Sequence, residues 1–354
     1  KEARHGMPPF TEVLRRVMDY YRDNRAELDK QNDSLMDFMS QVYEIKTDAD
    51  AKLQPQILDE ARQQLGQQYD HEFGGFGSAP KFPHPTNIER LLRHWHASQA
   101  TATDIKARDM LEHSLRGMAH GGIYDQLGGG FYRYSVDAEW MIPHFEKMLY
   151  DNGPLLALYV EAAVAFDSEL FRRTAIETGE WTVREMQAES GGYYSALDAD
   201  SEGEEGKFYR WTPDQVREAL DANEYSVLAR VFGLDRPANF EGHWHLHTYL
   251  DSDEVAEELS ITPAETRQRL DSARQKLMAL RTQRVAPHRD DKILTAWNAL
   301  MIKGMAVAGR QLQRKDFIHS ATQSVNFIRE NLWQNNRVLA CYSMGKPQLP
   351  AYLD

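Results

Sequence analysis

Apolar residues recur every three or four positions along most of this chain, in 56–69, 86–97, 104–119, 145–165, 168–187, 264–282, 296–311 and 314–332. That is the period of a helix with one face turned to a core, so the pattern predicts a helical protein. Phe10 to Lys30 and Ser34 to Val42 add two helices ahead of these, and the polar run Thr47-Asp-Ala-Asp-Ala-Lys52 reads as a connector. Residues 1–50 are therefore expected to form a helical lead-in, and 51–354 the main domain. Period-two alternation is scarce. Phe131–Tyr134 and Tyr193–Ser195 predict small hairpins, with Lys207–Trp211 a candidate partner for the second.

Three turns repeat within the main domain: Gly74-Gly-Phe-Gly-Ser78, Gly129-Gly-Phe-Tyr-Arg-Tyr-Ser135 and Gly191-Gly-Tyr-Tyr-Ser195. A period of about 55–62 residues suits one helical hairpin plus its loops. Stacked helix pairs whose loops gather at one rim close into an (α/α) barrel, and that all-α architecture, with small β-hairpins in its loops, is the expectation. An open solenoid is the alternative. The long loops favour the barrel, since solenoid turns are short.

Composition narrows the function classes. The formal net charge of -13 speaks against a nucleic-acid partner, because phosphate binding draws on clustered Lys and Arg. No apolar run reaches the length of about 20 residues that spans a bilayer, and Lys1-Glu-Ala-Arg-His-Gly6 has no apolar leader core, so no membrane partner and a cytoplasmic location are expected. The single cysteine, Cys341, leaves no internal disulfide and no Cys-rich metal site. No metal and no cofactor are expected.

Candidate chemistry concentrates between Gly121 and Asp151. Pro143 to Asp151 reads as a helix start, with Pro in the first turn and Glu146 where the helix dipole favours a carboxylate. Helical spacing would put His144, Lys147 and Asp151 on one face, making His144 a candidate general acid or base oriented by Asp151 or Glu146. The plainer reading has His144 bracing the loop. Asp198 and Asp200, in the acidic string 198–205, are candidate carboxylates for glycoside hydrolysis, which needs two such groups across the bond; a solvated turn is the alternative. The same string partly matches a calcium loop, although Tyr209 stands where the bidentate Glu belongs. Asp290, in Arg289-Asp-Asp-Lys292, is a third candidate acid or one member of a positioning salt-bridge cluster. His243-Trp-His-Leu-His247 would present three imidazoles on one side of a strand, a weak zinc pattern. Tyr124, Tyr134, Trp140, Tyr194, Trp211 and Trp297 are candidate stacking surfaces for a sugar, and Asp125, Gln126 and Arg133 candidate hydroxyl partners; core packing is the alternative for about half of the aromatic residues.

Four motifs in order, Gly74–Pro83, Gly121–Asn152, Tyr194–Gly203 and Arg289–Asn298, resemble the thioredoxin-domain-containing family that includes spermatogenesis-associated protein 20. The resemblance covers essentially the whole chain. It implies a six-hairpin (α/α)6 barrel similar to N-acylglucosamine 2-epimerases and several glycoside hydrolases, preceded by a thioredoxin-like module. No Cys-x-x-Cys or βαβ pattern occurs, and about nine barrel helices are counted after Leu53 where six hairpins need about twelve, so the chain reads as lacking that module and the last helices. A small-molecule or glycan substrate follows from the resemblance, acted on by a sugar epimerase, isomerase or hydrolase. The alternative is a non-catalytic glycan- or protein-binding barrel that works with the absent thioredoxin-like module.

Overall fold

The structure, a computed structural model, describes residues 8–43 and 54–352. The chain forms two units that meet in sequence between Pro55 and Gln56. In the first, helix α1 (Phe10–Asp23) is followed by α2 (Arg25–Tyr43). The helix expected from Phe10 to Lys30 therefore breaks at Asn24, whose side-chain amide shares the Tyr20 carbonyl with its own backbone N–H. Phe10, Leu14, Val17 and Tyr21 form an exposed apolar stripe along α1. The expected connector Thr47–Lys52 lies outside the described residues.

The second unit is built from helical hairpins. After α3 (Gln56–Gln68) come α4 (Pro85–Ser98) with α5 (Ile105–His120), then α6 (Leu149–Phe166) with α7 (Glu169–Trp181). A further pair, numbered below, ends the series. The expected helix starting at 145 begins instead at Leu149, because Pro143–His144 pairs with Tyr134–Ser135 and Lys147–Met148 pairs with Ala196–Leu197. Pro143 thus sits in a strand, and the predicted shared helical face of His144, Lys147 and Asp151 does not exist.

Between α7 and the last pair lies a segment in which periodicity showed a single helix. It contains four: α8 (Pro213–Ala219), α9 (Ala222–Phe232), α10 (Ser252–Leu259) and α11 (Pro263–Arg281). The first three are too short for a clear apolar period, but each opens on a capping box: Thr212 with Gln215, Asp221 with Glu224, and Asp251 with Glu254. They close over their own core of Val227, Leu228, Phe232, Leu246, Leu270 and Leu277. The last pair is α12 (Thr295–Gln311) with α13 (Lys315–Phe327), so the described residues after Pro55 hold eleven α-helices against the nine counted. Lys207–Trp211 does not pair with Tyr193–Ser195; Trp211 bridges Trp244 instead.

Helices α4, α6 and α12 lie side by side in one layer, with α5 beside α7 in the other. The approach of α6 to α12 needs glycine. A Cβ on Gly153 would stand 2.7 Å from the Met301 nitrogen, and one on Gly304 would strike the Gly153 carbonyl. Successive hairpins are stitched by matching contacts. Asn152 at the start of α6 accepts from Phe131 N–H (2.6 Å) and donates to Phe131 C=O (2.9 Å). Asn298 at the start of α12 does the same for Tyr193, at 2.8 and 2.9 Å.

The repeated turns carry a second stitch. Tyr69-Asp70 and Tyr124-Asp125 each precede a Gly-Gly-Phe turn, and each aspartate caps the N–H groups two and three residues on. Lys81 then reaches back to Asp70 (2.5 Å) and Lys147 to Asp125 (2.8 Å), both lysines being fully buried. The third turn, Gln187 to Tyr193, is one residue shorter and has no aspartate; the residue in the place of Lys147 is the buried Ile293, and Lys292 beside it lies on the surface and pairs with Asp290 at 2.6 Å.

Candidate functional site

The loops that leave α5, α7 and α13 and those that enter α6 and α12 meet at one end of the hairpins. A three-stranded sheet of Lys147–Met148, Ala196–Leu197 and Arg289–Asp290 ties them together. Its backbone pairing, aided by Ser195 donating its hydroxyl to the Asp290 carbonyl at 3.1 Å, sets which side chains face the rim.

Five of the expected ligand-binding residues turn inward. Tyr124 is fully buried and donates its hydroxyl to Glu177 at 2.7 Å. Asp125 is buried against Lys147 and a bidentate Arg281, at 2.8 and 2.9 Å. Gln126 donates to the Ala119 and Gly121 carbonyls, Trp140 packs under Gly75 and donates to the Phe73 carbonyl, and Trp211 is sealed beneath Arg284. These residues brace the loop; core packing wins, and all of them but Trp211, whose Nε1 has no partner, find a polar partner inside the protein.

The rim itself presents Arg133, Tyr134, His144 and Glu146, joined by Tyr150 and Glu205, which the sequence reading did not single out, while Asp151 is buried. Arg133 donates to Glu146 at 2.9 Å. The same Glu146 oxygen lies 3.3 Å from His144 Nε2, and Glu205 lies 2.8 Å from His144 Nδ1. Tyr134 stacks on the imidazole with ring centres 5.0 Å apart, and Phe82 lies against Tyr134. Tyr150 meets Trp297 edge to face at 4.7 Å, and Arg289 lies over Tyr194 at 4.2 Å.

Asp151 is the outlier of this group. It stands in the first turn of α6, only 8% exposed, and its Oδ2 has no hydrogen-bond partner. Burial pushes its carboxyl up to about 7, with Arg133 pulling weakly the other way. The periodic pattern around it marked a helix and gave no sign of this isolation. A carboxylate beside an apolar run was the available signal.

Of the remaining acids, Asp198 and Asp200 are exposed, the latter in a hairpin opposite Glu205, and Asp290 is neutralised by Lys292. Among the described residues no three His, Cys, Asp or Glu side chains are arranged to hold a metal ion, so neither the calcium-loop nor the zinc pattern is realised. His245 is buried and bonded to the Gly122 carbonyl, while His247 bonds Asn239 and His243 contacts the Glu241 carbonyl, so the three rings do not converge. Two clefts lie elsewhere: one of about 620 Å³ beside Tyr69, Lys106 and His113, and one of about 420 Å³ between α7 and α11.

No protein-family model matches the chain. It is 34% identical to spermatogenesis-associated protein 20 of Rattus norvegicus over 92% of its own length and 44% of the relative's. For the Homo sapiens protein of the same name the values are 32%, 94% and 46%. The chain is thus a homologue of spermatogenesis-associated protein 20, and it spans less than half of these relatives. Among solved structures, a sugar epimerase from a ruminal bacterium is similar at 15% identity and TM-score 0.33, covering 82% of this chain and 92% of its own. A D-mannose isomerase is similar at 10% identity and TM-score 0.33, covering 83% and 91%. Likenesses at this level carry no functional argument.

Proposed function

We propose that this homologue of spermatogenesis-associated protein 20 carries an acid–base site at the rim of its helical hairpins, acting on a polyhydroxylated small molecule of the sugar class. The observation that carries the reading is Asp151. A carboxyl poised near neutral pH is suited both to give a proton and to take one, and its unpartnered Oδ2 has no protein group to satisfy it. Arg133 and Glu146 supply a donor and an acceptor for hydroxyl groups, and Tyr150 with Trp297 an aromatic wall of the kind that stacks on the apolar face of a sugar ring. In an epimerisation, protonated Asp151 would deliver a proton to one face of a carbon while a second group removes one from the other. In a hydrolysis it would protonate the leaving oxygen, with Glu146 as the second carboxylate.

His144 supports a different reading. Both ring nitrogens face carboxylates, Glu146 and Glu205, so the ring has no free nitrogen for a substrate. A rim organised this way fits a non-catalytic glycan-binding surface. The test is to incubate the protein with N-acylated and neutral sugars and follow epimerisation and reducing-end release by NMR. Under the catalytic reading, turnover is lost in Asp151→Asn and largely kept in His144→Gln. Shift perturbations on sugar addition without turnover would support the binding reading, and no response to any sugar would defeat both.

A further inference from the structure

The cleft of about 420 Å³ between α7 and α11 lies at the seam of two cores: α7 contributes Phe171, Ala175 and Trp181 to one, and α11 contributes Leu270, Ala273 and Leu277 to the other. Its volume falls within the range of about 300–1,000 Å³ that small-ligand sites occupy, and seams between packed units are a common place for them. Two helix faces form the walls. Asp271, Arg274, Gln275 and Met278 stand at three- and four-residue spacing on α11, and Glu177 and Glu180 do so on α7, so each set shares one side of its helix. Leu127 and Gly128, from the loop after α5, complete the lining with Arg184.

Most of the charges along these walls already have partners. Glu177 accepts from the Tyr124 hydroxyl with one oxygen and from Arg274 with the other, at 2.7 and 2.8 Å. Glu180 takes Arg314 at 2.9 Å, and Arg184 bonds Glu185 and the Gly128 carbonyl, both at 2.6 Å. What remains, one turn apart on α11, is a free group of each sign. Arg274 spends Nε on the Gln126 carbonyl and Nη2 on Glu177, which leaves Nη1 without a protein partner among the described residues and not sealed from solvent. The two bonds hold this guanidinium in place before any ligand arrives. Asp271 is exposed and, among the described residues, has neither a hydrogen-bond nor an ion-pair partner. A lone anion in the cleft would face Glu177, Glu180 and Asp271, and a lone cation would face Arg274 and Arg184, so the lining opposes an ion of either single sign. A molecule with an ammonium and a carboxylate on one carbon complements both free groups, because residues three apart on a helix are neighbours.

We infer that this cleft binds a free α-amino acid with an apolar side chain. Its carboxylate accepts from Arg274 Nη1, its ammonium donates to Asp271, and its side chain lies against Leu127 and Met278. The site is separate from the rim and independent of the activity proposed there.

The test is an NMR titration of the isotope-labelled protein with L-leucine, in which saturable shifts of the Leu127, Gly128 and Met278 amides are expected. Leucinamide, which lacks the carboxylate, and N-acetyl-leucine, which lacks the ammonium, should each bind at least about tenfold more weakly, since each loses one charge-assisted bond. Asp271→Asn should weaken leucine by a similar factor and leave N-acetyl-leucine unchanged. Gln275→Trp, at an exposed position whose larger side chain fills the cleft, should abolish binding. No saturable shift up to about 10 mM leucine, shifts confined to the rim around Arg133 and Tyr150, or binding of either analogue as tight as that of leucine overturns the inference. None of these results depends on whether the rim turns over a sugar.

Discussion

Asp125 and Asp151 are both buried aspartates on the same loop–helix segment, yet their surroundings drive them in opposite directions. Burial alone would raise both. Around Asp125, the charges of Arg281 and Lys147 and two backbone N–H groups outweigh burial and hold the carboxyl well below its usual range. Asp151 has only the distant pull of Arg133, so burial wins and the group is poised near neutrality. Partners, not depth, decide the charge state, and a carboxyl left without them inside a fold rich in exact pairings is a reasonable mark of function.

The sharpest way to break the contrast is to remove the charge at Asp125. Asp125→Asn leaves Lys147 and Arg281 buried without a counter-charge and should cost about 3–5 kcal/mol of stability, read by urea denaturation at pH 7. A loss under about 1 kcal/mol would mean the network is far better hydrated than its burial suggests.

Asp151→Asn should do the reverse. Between about pH 4 and 7 the native state keeps a proton on Asp151 that the unfolded chain has released, so wild-type stability falls as pH rises through that window. The asparagine variant should lack that decline and gain up to about 4 kcal/mol relative to wild type at pH 8, at about 1.4 kcal/mol per pH unit. Equal pH profiles for the two proteins would show that Asp151 titrates normally.

His245 tests the same principle with the opposite slope. Burial holds its imidazole down to about 4, so between roughly pH 6.5 and 4 the unfolded chain takes up a proton that the native state refuses. Stability should therefore fall as pH drops across that range, by up to about 3 kcal/mol, and His245→Gln should flatten this limb. NMR titration of the imidazole carbons gives an independent reading.

The smallest effect is expected at the third turn. Lys292→Met removes a solvent-exposed pair with Asp290 and should change stability by less than about 1 kcal/mol, whereas Lys81→Met strands the Asp70 carboxylate at the edge of the core and should cost several-fold more. Equal losses would mean that Lys292 stitches the third turn as Lys81 and Lys147 stitch the first two.

Much of this was legible before any coordinates. The apolar period located the hairpin helices because burying one face of a helix leaves a 3.6-residue signature in the chain. The glycine turns were legible for a related reason: Gly74, Gly75, Gly129 and Gly130 have positive φ, where other residues are strained, and a side chain on Gly130 would strike Trp181. Helices α8, α9 and α10 escaped notice because one to three turns hold too few apolar positions to show a period, although their capping boxes were in plain view.

The candidate site was only half legible. Loop composition drew attention to the Gly121–Asp151 segment and named His144, Glu146, Arg133 and Asp151, but it could not separate them from Tyr124, Asp125, Gln126, Trp140 and Trp211. Those five are equally polar or aromatic; the first four face inward because Glu177, Lys147, Arg281 and nearby carbonyls wait for them there, and Trp211 because it packs into an apolar core. The chain alone determined the helical period, the turns that need glycine and the repeat that joins them, since these depend on neighbours close in sequence. Tertiary structure decided that Pro143–His144 is a strand, that Arg281 returns to Asp125 from the far end of α11, and that Asp151 is left without a partner. A charge state depends on everything within a few ångströms, and most of what surrounds these groups comes from distant parts of the chain.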